Sequence, residues 1–348
     1  MRNFFKNKKI LITGHTGFMG GWLALALSRY SNKLYGISLP GSPKKNFYNI
    51  IGIKKLMKKE FFFDLSKEKS IKIINKIDFD IVFHLAAQPL VGVSFKETSK
   101  TFKSNIMGTV NVMEAIKIKN KKQVIIVVTS DKVYQNDELG ISFKENSSLG
   151  GKDPYSGSKS CQDIIAQAYK HSFFNNTNKH LGIARIGNII GGGDWSKDRL
   201  IPDIFRDLNK SNILIRNQNA IRPWQHVIET TYYICQLALQ ISNDRNLAGI
   251  YNFGPDKANQ CSVKEICIKI EKRLKKNNIK LTFNYLKKNL IKEANILRLN
   301  NNKMKKILNL KPKYNINKTL NLTCEWYLNY KQNNIKKLTL KQISNYFL

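Results

Sequence analysis

Carboxylates are scarce in this chain of 348 residues: 24 Asp and Glu stand against 59 Lys and Arg, a formal charge of +35 at pH 7. An excess of that size ordinarily points to nucleic acid. The lysines are dispersed, however, in pairs such as Lys8-Lys9 and Lys121-Lys122, with no basic-aromatic platform and no recognition-helix pattern. Nucleic acid is therefore not the expected partner, and the positive field suits a small diphosphate instead. Cysteine is sparse as well. Cys161, Cys235, Cys261, Cys267 and Cys324 are odd in number and show neither C-x-x-C nor Cys/His ligand spacing, which argues against a disulfide framework and against a metal site. Free thiols fit a reducing compartment. No stretch reaches the ~18 apolar residues of a membrane span, and Met1 to Lys6 lacks the apolar core of a signal peptide. A soluble cytoplasmic protein with no membrane partner is the expectation. Low-complexity linkers and internal repeats are also lacking, so the parts of the chain should share one compact body.

What is present is an alternation. Apolar runs at Lys9 to Gly14, Lys33 to Leu39, Phe61 to Phe63, Asp80 to Ala87, Val124 to Val128 and Leu181 to Ile186 read as strands. Helical stretches lie between them, at Phe18 to Tyr30, Ser66 to Ile77, Ser99 to Lys119 and Tyr155 to Phe174. This βαβ rhythm predicts an α/β fold, a Rossmann-like doubly wound parallel sheet whose ligands bind at the carboxyl ends of the strands. The first of those ends carries Gly14-x-x-Gly17-x-x-Gly20, a glycine turn that lets backbone approach a pyrophosphate at a helix N-terminus. The second, Ile37-Ser38-Leu39-Pro40, lacks the acidic residue that usually holds the adenosine ribose hydroxyls. It also lacks an Arg for a 2′-phosphate, so the ribose site leaves NAD and NADP open and leans to NAD. Beyond Asn188 the texture changes. Gly191-Gly192-Gly193 reads as a flexible break, followed by Arg, Asp and aromatic residues suited to polar ligand contacts. Residues 1–188, with a return segment near 222–243, are expected to form the dinucleotide-binding part. Residues 189–340 are expected to form mainly a smaller C-terminal substrate-binding domain, with a strand at Tyr251 to Phe253 and helices near Ser262 to Lys275 and Asn315 to Lys331.

The densest chemistry lies at the end of the fifth run, where Val128 gives way to Thr129, Ser130, Asp131 and Lys132. Downstream, Asp153-Pro154 makes a good helix start, and Tyr155 and Lys159 are four apart and share a helix face. A tyrosine acting as a base near neutrality must fall from its ordinary value near 10, at a cost of about 4 kcal/mol. A lysine ammonium roughly 4 Å away supplies a contribution of that order. Neighbouring strand residues face opposite ways, so the strand must end or twist at Ser130 for Asp131 and Lys132 both to reach one ligand.

These residues resemble the extended short-chain dehydrogenase/reductase family over nearly the whole chain. The likeness is carried by Thr13-Gly14-His15-Thr16-Gly17-Phe18-Met19-Gly20, Asp64-Leu65, His84 to Gln88, Ser130, Tyr155-x-x-x-Lys159 and Arg222 to Val227. Within the family the chain is most similar to the nucleotide-sugar 4,6-dehydratases that act on CDP-glucose, through Gln88-Pro89-Leu90-Val91, Thr129-Ser130-Asp131-Lys132, Gly150 to Ser156, Gly191 to Trp195, Asp198 to Pro202 and Ala220 to His226. The resemblance implies C4 oxidation by NAD, loss of water across C5 and C6, and hydride return to C6. It assigns the catalysis to Ser130, Asp131, Lys132, Tyr155 and Lys159. Gly14, Thr16, Gly17, Phe18, Met19, Gly20, Asp64, Leu65, Ala86, Ala87 and Gln88, with Tyr155 and Lys159, would hold the cofactor. Asn188, Asp194, Trp195, Arg199, Leu200, Arg216 and Arg222 would meet the nucleotide sugar. Lys132 is open between two roles, base at C5 or stabiliser of the enolate. The family also implies a homodimer through the helices Ser99 to Lys119 and Tyr155 to Phe174.

Other residues carry plainer expectations. Asn105 is read as a helix kink or backbone partner, His15 as a loop residue touching the cofactor region, and His226 as packed. One stretch departs from the pattern: Gly92-Val93-Ser94-Phe95 looks more like the dehydratases that act on GDP-mannose. A GDP-mannose or other nucleotide-hexose dehydratase, and a nucleotide-sugar 4-epimerase, are the alternatives.

Overall fold

The computed structural model describes all residues except 42–44, 209, 211, 287–293 and 348, and the side chain of residue 258. Seven parallel strands form the central sheet: β1 (Ile10–Thr13), β2 (Leu34–Ser38), β3 (Lys59–Phe62), β4 (Ile81–His84), β5 (Gln123–Val128), β6 (Lys179–Ile186) and β7 (Ile250–Phe253). Their spatial order is β7-β6-β5-β4-β1-β2-β3. The order reverses between β1 and β4, and a crevice opens beyond the carboxyl ends at such a point. The expected α/β doubly wound fold is present.

Alternation of side chains along the strands divides the interior in two. Ile10, Ile12, Ile81, Phe83, Val124, Ile126 and Val128 face one core, while Leu11, Val82, Ile125 and Val127 face the other. The second core is covered by α2 (Lys69–Asn75) and by the helical runs at Thr98–Lys117 and Pro154–Tyr169. The first is covered by α1 (Phe18–Leu27) and the long helix Val227–Asn243. Helix α1 is buried all round from Gly20 to Leu27, because the C-terminal helix Ile335–Phe347 packs on it from outside. A helix apolar on every side requires such double cover. The same core therefore runs from β1 to Trp326 and Tyr346 near the C-terminus, and the chain's parts share one body.

Three details differ from the sequence expectation. The strand expected in the later part of the chain, Tyr251 to Phe253, lies at the edge of the central sheet, where Ile250–Phe253 pairs with β6. The stretch read as one helix over Ser99 to Lys119 is interrupted by a π-turn at Lys103–Met107, and Asn105 sits inside it. Its Oδ1 accepts from the Gln88 N–H (2.7 Å) and its Nδ2 donates to the Gln88 carbonyl (3.2 Å) and Ser158 Oγ (2.8 Å), which makes it both kink and backbone partner. Finally, Gly191-Gly192-Gly193 is no flexible break. All three are buried, the Gly192 carbonyl accepts from Trp22 Nε1 at 2.9 Å, and a Cβ at Gly192 would lie 2.0 Å from Trp326 Cγ.

Trp326 cannot move aside cheaply, since it is fully buried and its Nε1 donates to Thr339 Oγ1 at 2.9 Å. Gly192→Ala should therefore destabilise the fold by about 1–3 kcal/mol through overpacking, seen as a lower midpoint in chemical denaturation with an unchanged slope.

Candidate active site

A cavity of about 610 Å³ opens along the carboxyl ends of the strands. One wall is the turn from β1 to α1. Gly14 has φ +77°, in the left-handed region, and a Cβ at Gly20 would stand 2.1 Å from the Gly14 carbonyl oxygen. Only glycine allows so tight a turn. Gly17 is the N-cap of α1 and among the described residues no side chain caps the helix there, so the helix end faces the cavity and suits an anion. Thr16, Phe18 and Met19 line the same wall. Asp64 and Leu65 line the far side past β3, Asp64 Oδ1 accepting from the Ser66 N–H at 2.9 Å. Ala86 and Ala87 line it past β4, where a larger side chain would fill the space.

Two residues expected here lie elsewhere. Gln88 is folded back on its own loop, Oε1 accepting from the Leu90 N–H (2.6 Å) and Nε2 donating to Thr101 Oγ1 (2.9 Å), and it does not line the cavity. Trp195 packs edge-on to Tyr327 and Tyr330 at 5.2 and 5.0 Å, with Lys45 Nζ 3.7 Å from its ring, and it too stands off the cavity. His15 likewise does not touch the site. It is fully buried between Ser38 Oγ and Glu60 Oε1, both at 2.9 Å, where burial lowers its pKa. Glu60 thus serves the histidine, and the ribose side of the cavity is left with Ser38 and Leu39. His226 is packed at the start of helix Val227–Asn243, its Nδ1 accepting from the Ile228 N–H at 3.2 Å.

The central wall is the end of β5. The strand stops at Val128, and Asp131–Val133 wind into a single 3₁₀ turn capped by Ser130, whose Oγ accepts from the Lys132 N–H at 3.2 Å. Because the chain turns instead of continuing extended, Ser130, Asp131 and Lys132 all line one cavity. Ser130 Oγ donates to Asp131 Oδ1 at 3.0 Å, while the buried Oδ2 has no partner among the described residues. Burial raises the Asp131 pKa, against the opposing charges of Lys132 and Arg222. A carboxyl held toward its protonated form is a proton donor in waiting.

Opposite stands the helix Pro154–Tyr169, started by Asp153, whose side chain accepts from the Ser156 N–H at 2.9 Å. Tyr155 and Lys159 both line the cavity. Burial raises the Tyr155 pKa, and the groups that oppose it most are the Ser130 hydroxyl and the charge of Arg199. The Lys159 ammonium, expected to do this, donates instead to the Val128 carbonyl (3.1 Å) and to Gln162 Oε1. Burial brings its own pKa down to about 7, opposed by Asp163.

The remaining wall comes from the later part of the chain. Asn188, Asp194, Arg199, Leu200, Arg216 and Arg222 all line the cavity. Arg199 pairs with Asp194 (2.9 Å) and Arg216 with Asp198 (3.2 Å). Arg222, buried on the short strand Ile221–Pro223, donates to the Asn295 carbonyl at 3.1 Å. Three guanidinium groups on one wall suit a diphosphate. The sequence reading missed Asp163 and Arg185, which form a fully buried pair behind the β5 turn, Nη2 to Oδ1 at 2.7 Å. The signal was available, since Tyr155, Lys159 and Asp163 recur at helical spacing on one face.

The chain is similar to known proteins. The family model described as GDP-mannose 4,6 dehydratase matches residues 11–323. The CDP-glucose 4,6-dehydratase of Salmonella typhimurium is 36% identical over 334 residues, covering 94% of this chain and 92% of that protein. The dTDP-D-glucose 4,6-dehydratase of Dictyostelium discoideum is 30% identical over 61% of this chain and 49% of its own length. Among solved structures, the dTDP-glucose 4,6-dehydratase of Bacillus anthracis in complex with NAD superposes with a TM-score of 0.74 at 22% identity, covering 95% of this chain and 99% of that one.

The Lys159 pKa carries a stability consequence. Between pH 10.5 and about 7 the unfolded chain takes up a proton at Lys159 that the folded chain refuses, so the fold loses stability as the pH falls through that window, by about 5 kcal/mol in full. Lys159→Met removes this cost but leaves two acceptors without a donor, at about 1 kcal/mol each. The variant should be more stable than the parent at pH 7, with the advantage shrinking toward pH 10, as read by thermal denaturation across that range.

Proposed function

Since the chain belongs to the GDP-mannose 4,6-dehydratase family, within the extended short-chain dehydrogenases/reductases, we propose that it is an NAD-dependent nucleotide-sugar 4,6-dehydratase that converts CDP-glucose to CDP-4-keto-6-deoxyglucose. The observation that carries this is the convergence of Ser130, Asp131 and Lys132 with Tyr155 and Lys159 in one cavity walled by three arginines. An epimerase needs the tyrosine and lysine but has no use for an acid and an ammonium side by side. CDP-glucose is named because the relative matched over 94% of this chain acts, by its name, on that sugar nucleotide.

The glycine turn, the uncapped start of α1 and the small Ala86 and Ala87 fit a dinucleotide lying across the strand ends. NAD, when bound, supplies the hydride sink at C4 and returns the hydride at C6, so none is consumed. The chain's own residues move the protons. Tyr155, its pKa drawn down by the Ser130 hydroxyl, takes the proton of the C4 hydroxyl. Its raised pKa means that burial alone works against this, and the positive charge of Arg199 must offset it, to which a cationic nicotinamide would add when bound. The C4 ketone then acidifies the C5 proton. Lys132 faces C5 either as the base, which returns the proton to C5 once hydride has reached C6, or as stabiliser of the enolate, and Asp131, held toward its neutral form, protonates the C6 hydroxyl as it leaves. Arg199, Arg216 and Arg222, with Asn188, Asp194 and Leu200, hold the nucleotide sugar. Residues 1–188, with the return near 222–243, serve NAD, and residues 189–340 mainly serve the sugar nucleotide.

The exposed apolar side chains Met107, Ile164 and Phe173 support a homodimer formed through the Thr98–Lys117 and Pro154–Phe174 helices. Among the described residues no helix is long and apolar enough to cross a membrane, and a cytoplasmic enzyme of deoxysugar formation is proposed.

Incubation with CDP-, dTDP-, GDP- and UDP-glucose and with GDP-mannose, followed by mass measurement for loss of one water, should show dehydration with CDP-glucose foremost. A product of unchanged mass with inverted C4 would overturn the dehydratase in favour of an epimerase. Lys132→Met should lower C5 deuterium exchange by at least about 10²-fold while leaving C4 oxidation intact; normal exchange would remove Lys132 as the base.

A further inference from the structure

The turn that carries Ser130, Asp131 and Lys132 is tied down on both flanks, and one tie on each flank leads to the same buried ion pair. Asp163 accepts from Arg185 twice, Nη2 to Oδ1 at 2.7 Å and Nε to Oδ2 at 2.9 Å, and both side chains are fully buried. On the near flank, Thr129 Oγ1 donates to Asp163 Oδ2 at 2.9 Å. On the far flank, Arg185 Nη1 donates to the Tyr134 hydroxyl at 2.9 Å, and that hydroxyl donates to Asn252 Oδ1 at 2.6 Å. The Tyr134 ring is further held by stacking on Phe143, 4.9 Å between centroids. Helix Pro154–Tyr169 adds two ties to the same turn, Lys159 Nζ to the Val128 carbonyl at 3.1 Å and Ser160 Oγ to the Val133 carbonyl at 2.8 Å.

We propose that the buried Asp163–Arg185 pair is a positioning device for this turn, acting through the Thr129 hydroxyl on one side and the Tyr134 phenol on the other. Asp163 lies two helical turns from Tyr155 on the face that also presents Lys159, while Arg185 comes from β6, the neighbour of β5. One ion pair thus references the Ser130–Lys132 apex both to the helix bearing the tyrosine and to the sheet. A bidentate pair is rigid in a way that a single hydrogen bond is not. Burying two charges is expensive, and an apolar pair of equal volume would cost the fold less. The pair's geometric value to the turn gives that cost a purpose. Neither residue touches the cavity; both act through others. What the turn does rests on the dehydratase assignment, whereas how it is held does not.

The test uses the full-length protein with bound NAD and whichever nucleotide hexose the parent dehydrates. Thr129→Val removes the hydroxyl tie alone, Thr129→Ser restores it, and Ile126→Val serves as a control that loosens the same strand without touching the network. Thr129→Val should speed amide exchange across residues 130–134 and lower kcat about tenfold with KM changed by no more than about twofold, as a sub-ångström misplacement of catalytic groups does. Thr129→Ser should recover both, and Ile126→Val should show neither. If Thr129→Val matches Ile126→Val in exchange and in kcat, the positioning role is overturned. If the parent dehydrates no nucleotide hexose, the dehydratase assignment fails, and the exchange measurement decides the positioning role by itself.

Discussion

Side chains leave an extended strand by alternate faces, so three consecutive residues can serve one ligand only where the strand stops. That constraint governs this molecule. β5 is buried along its whole length, its even-numbered residues facing one core and its odd-numbered residues the other. At Ser130 the chain winds into a 3₁₀ turn and the alternation ends. The turn gives the hydroxyl, the carboxyl and the ammonium to one cavity, and Thr129 and Tyr134 on its flanks reach back into the buried network around Arg185. Strand order then brings the rest of the site to the same place. The reversal between β1 and β4 opens the crevice, and the glycine turn after β1 and the helix after β5 border it.

Burial sets the ionisation of this site more than pairing does. It raises Tyr155 and Asp131 and lowers Lys159, in each case disfavouring the charged form. For Asp131 that direction suits a group that gives up a proton. For Tyr155 it opposes the proposed role, and the opposing influences come from Ser130 and Arg199. Arg199 belongs to the wall proposed to bind the nucleotide sugar. A guanidinium that both holds substrate and acts on the tyrosine would link binding to the first proton transfer. Lys159 illustrates the cost of such a site, since its ammonium is buried with a carbonyl and an amide for company and weakens the fold that holds it.

The later part of the chain is less a separate domain than an outer layer on the first core. Trp326 packs on Gly192, Trp22 donates to the Gly192 carbonyl, and the Tyr327 hydroxyl donates to the Asp194 carbonyl. These contacts fasten the segment that contributes Asp194 and Arg199 to the cavity. Trp195 is used for that packing rather than for the ligand, edge-on to two tyrosines with Lys45 over its ring. Close packing explains three successive glycines better than flexibility does, Gly191 lying against Val227, Gly192 against the Trp326 indole, and Gly193 against Phe47 with φ +87°.

The sequence by itself determined the sheet, its parallel sense, the glycine turn, and the pairing of Tyr155 and Lys159 on one helix face. These are properties of short stretches, written in apolar period, cap residues and i,i+4 spacing. It also located Ser130, Asp131 and Lys132 and posed the condition under which they could act together. Only the tertiary structure decided how the turn there is held, because Thr129 and Tyr134 meet side chains from the next helix and the next strand. It likewise decided that Gln88 and Trp195 turn away, that His15 is paired with Glu60 and not with a ligand, and that the Lys159 ammonium reaches Val128 and Gln162. Each of those outcomes rests on contacts between residues distant in the chain or on local folding that burial enforces. Spacing along a sequence states which face a residue shares; it does not state which neighbour the folded chain will bring to that face.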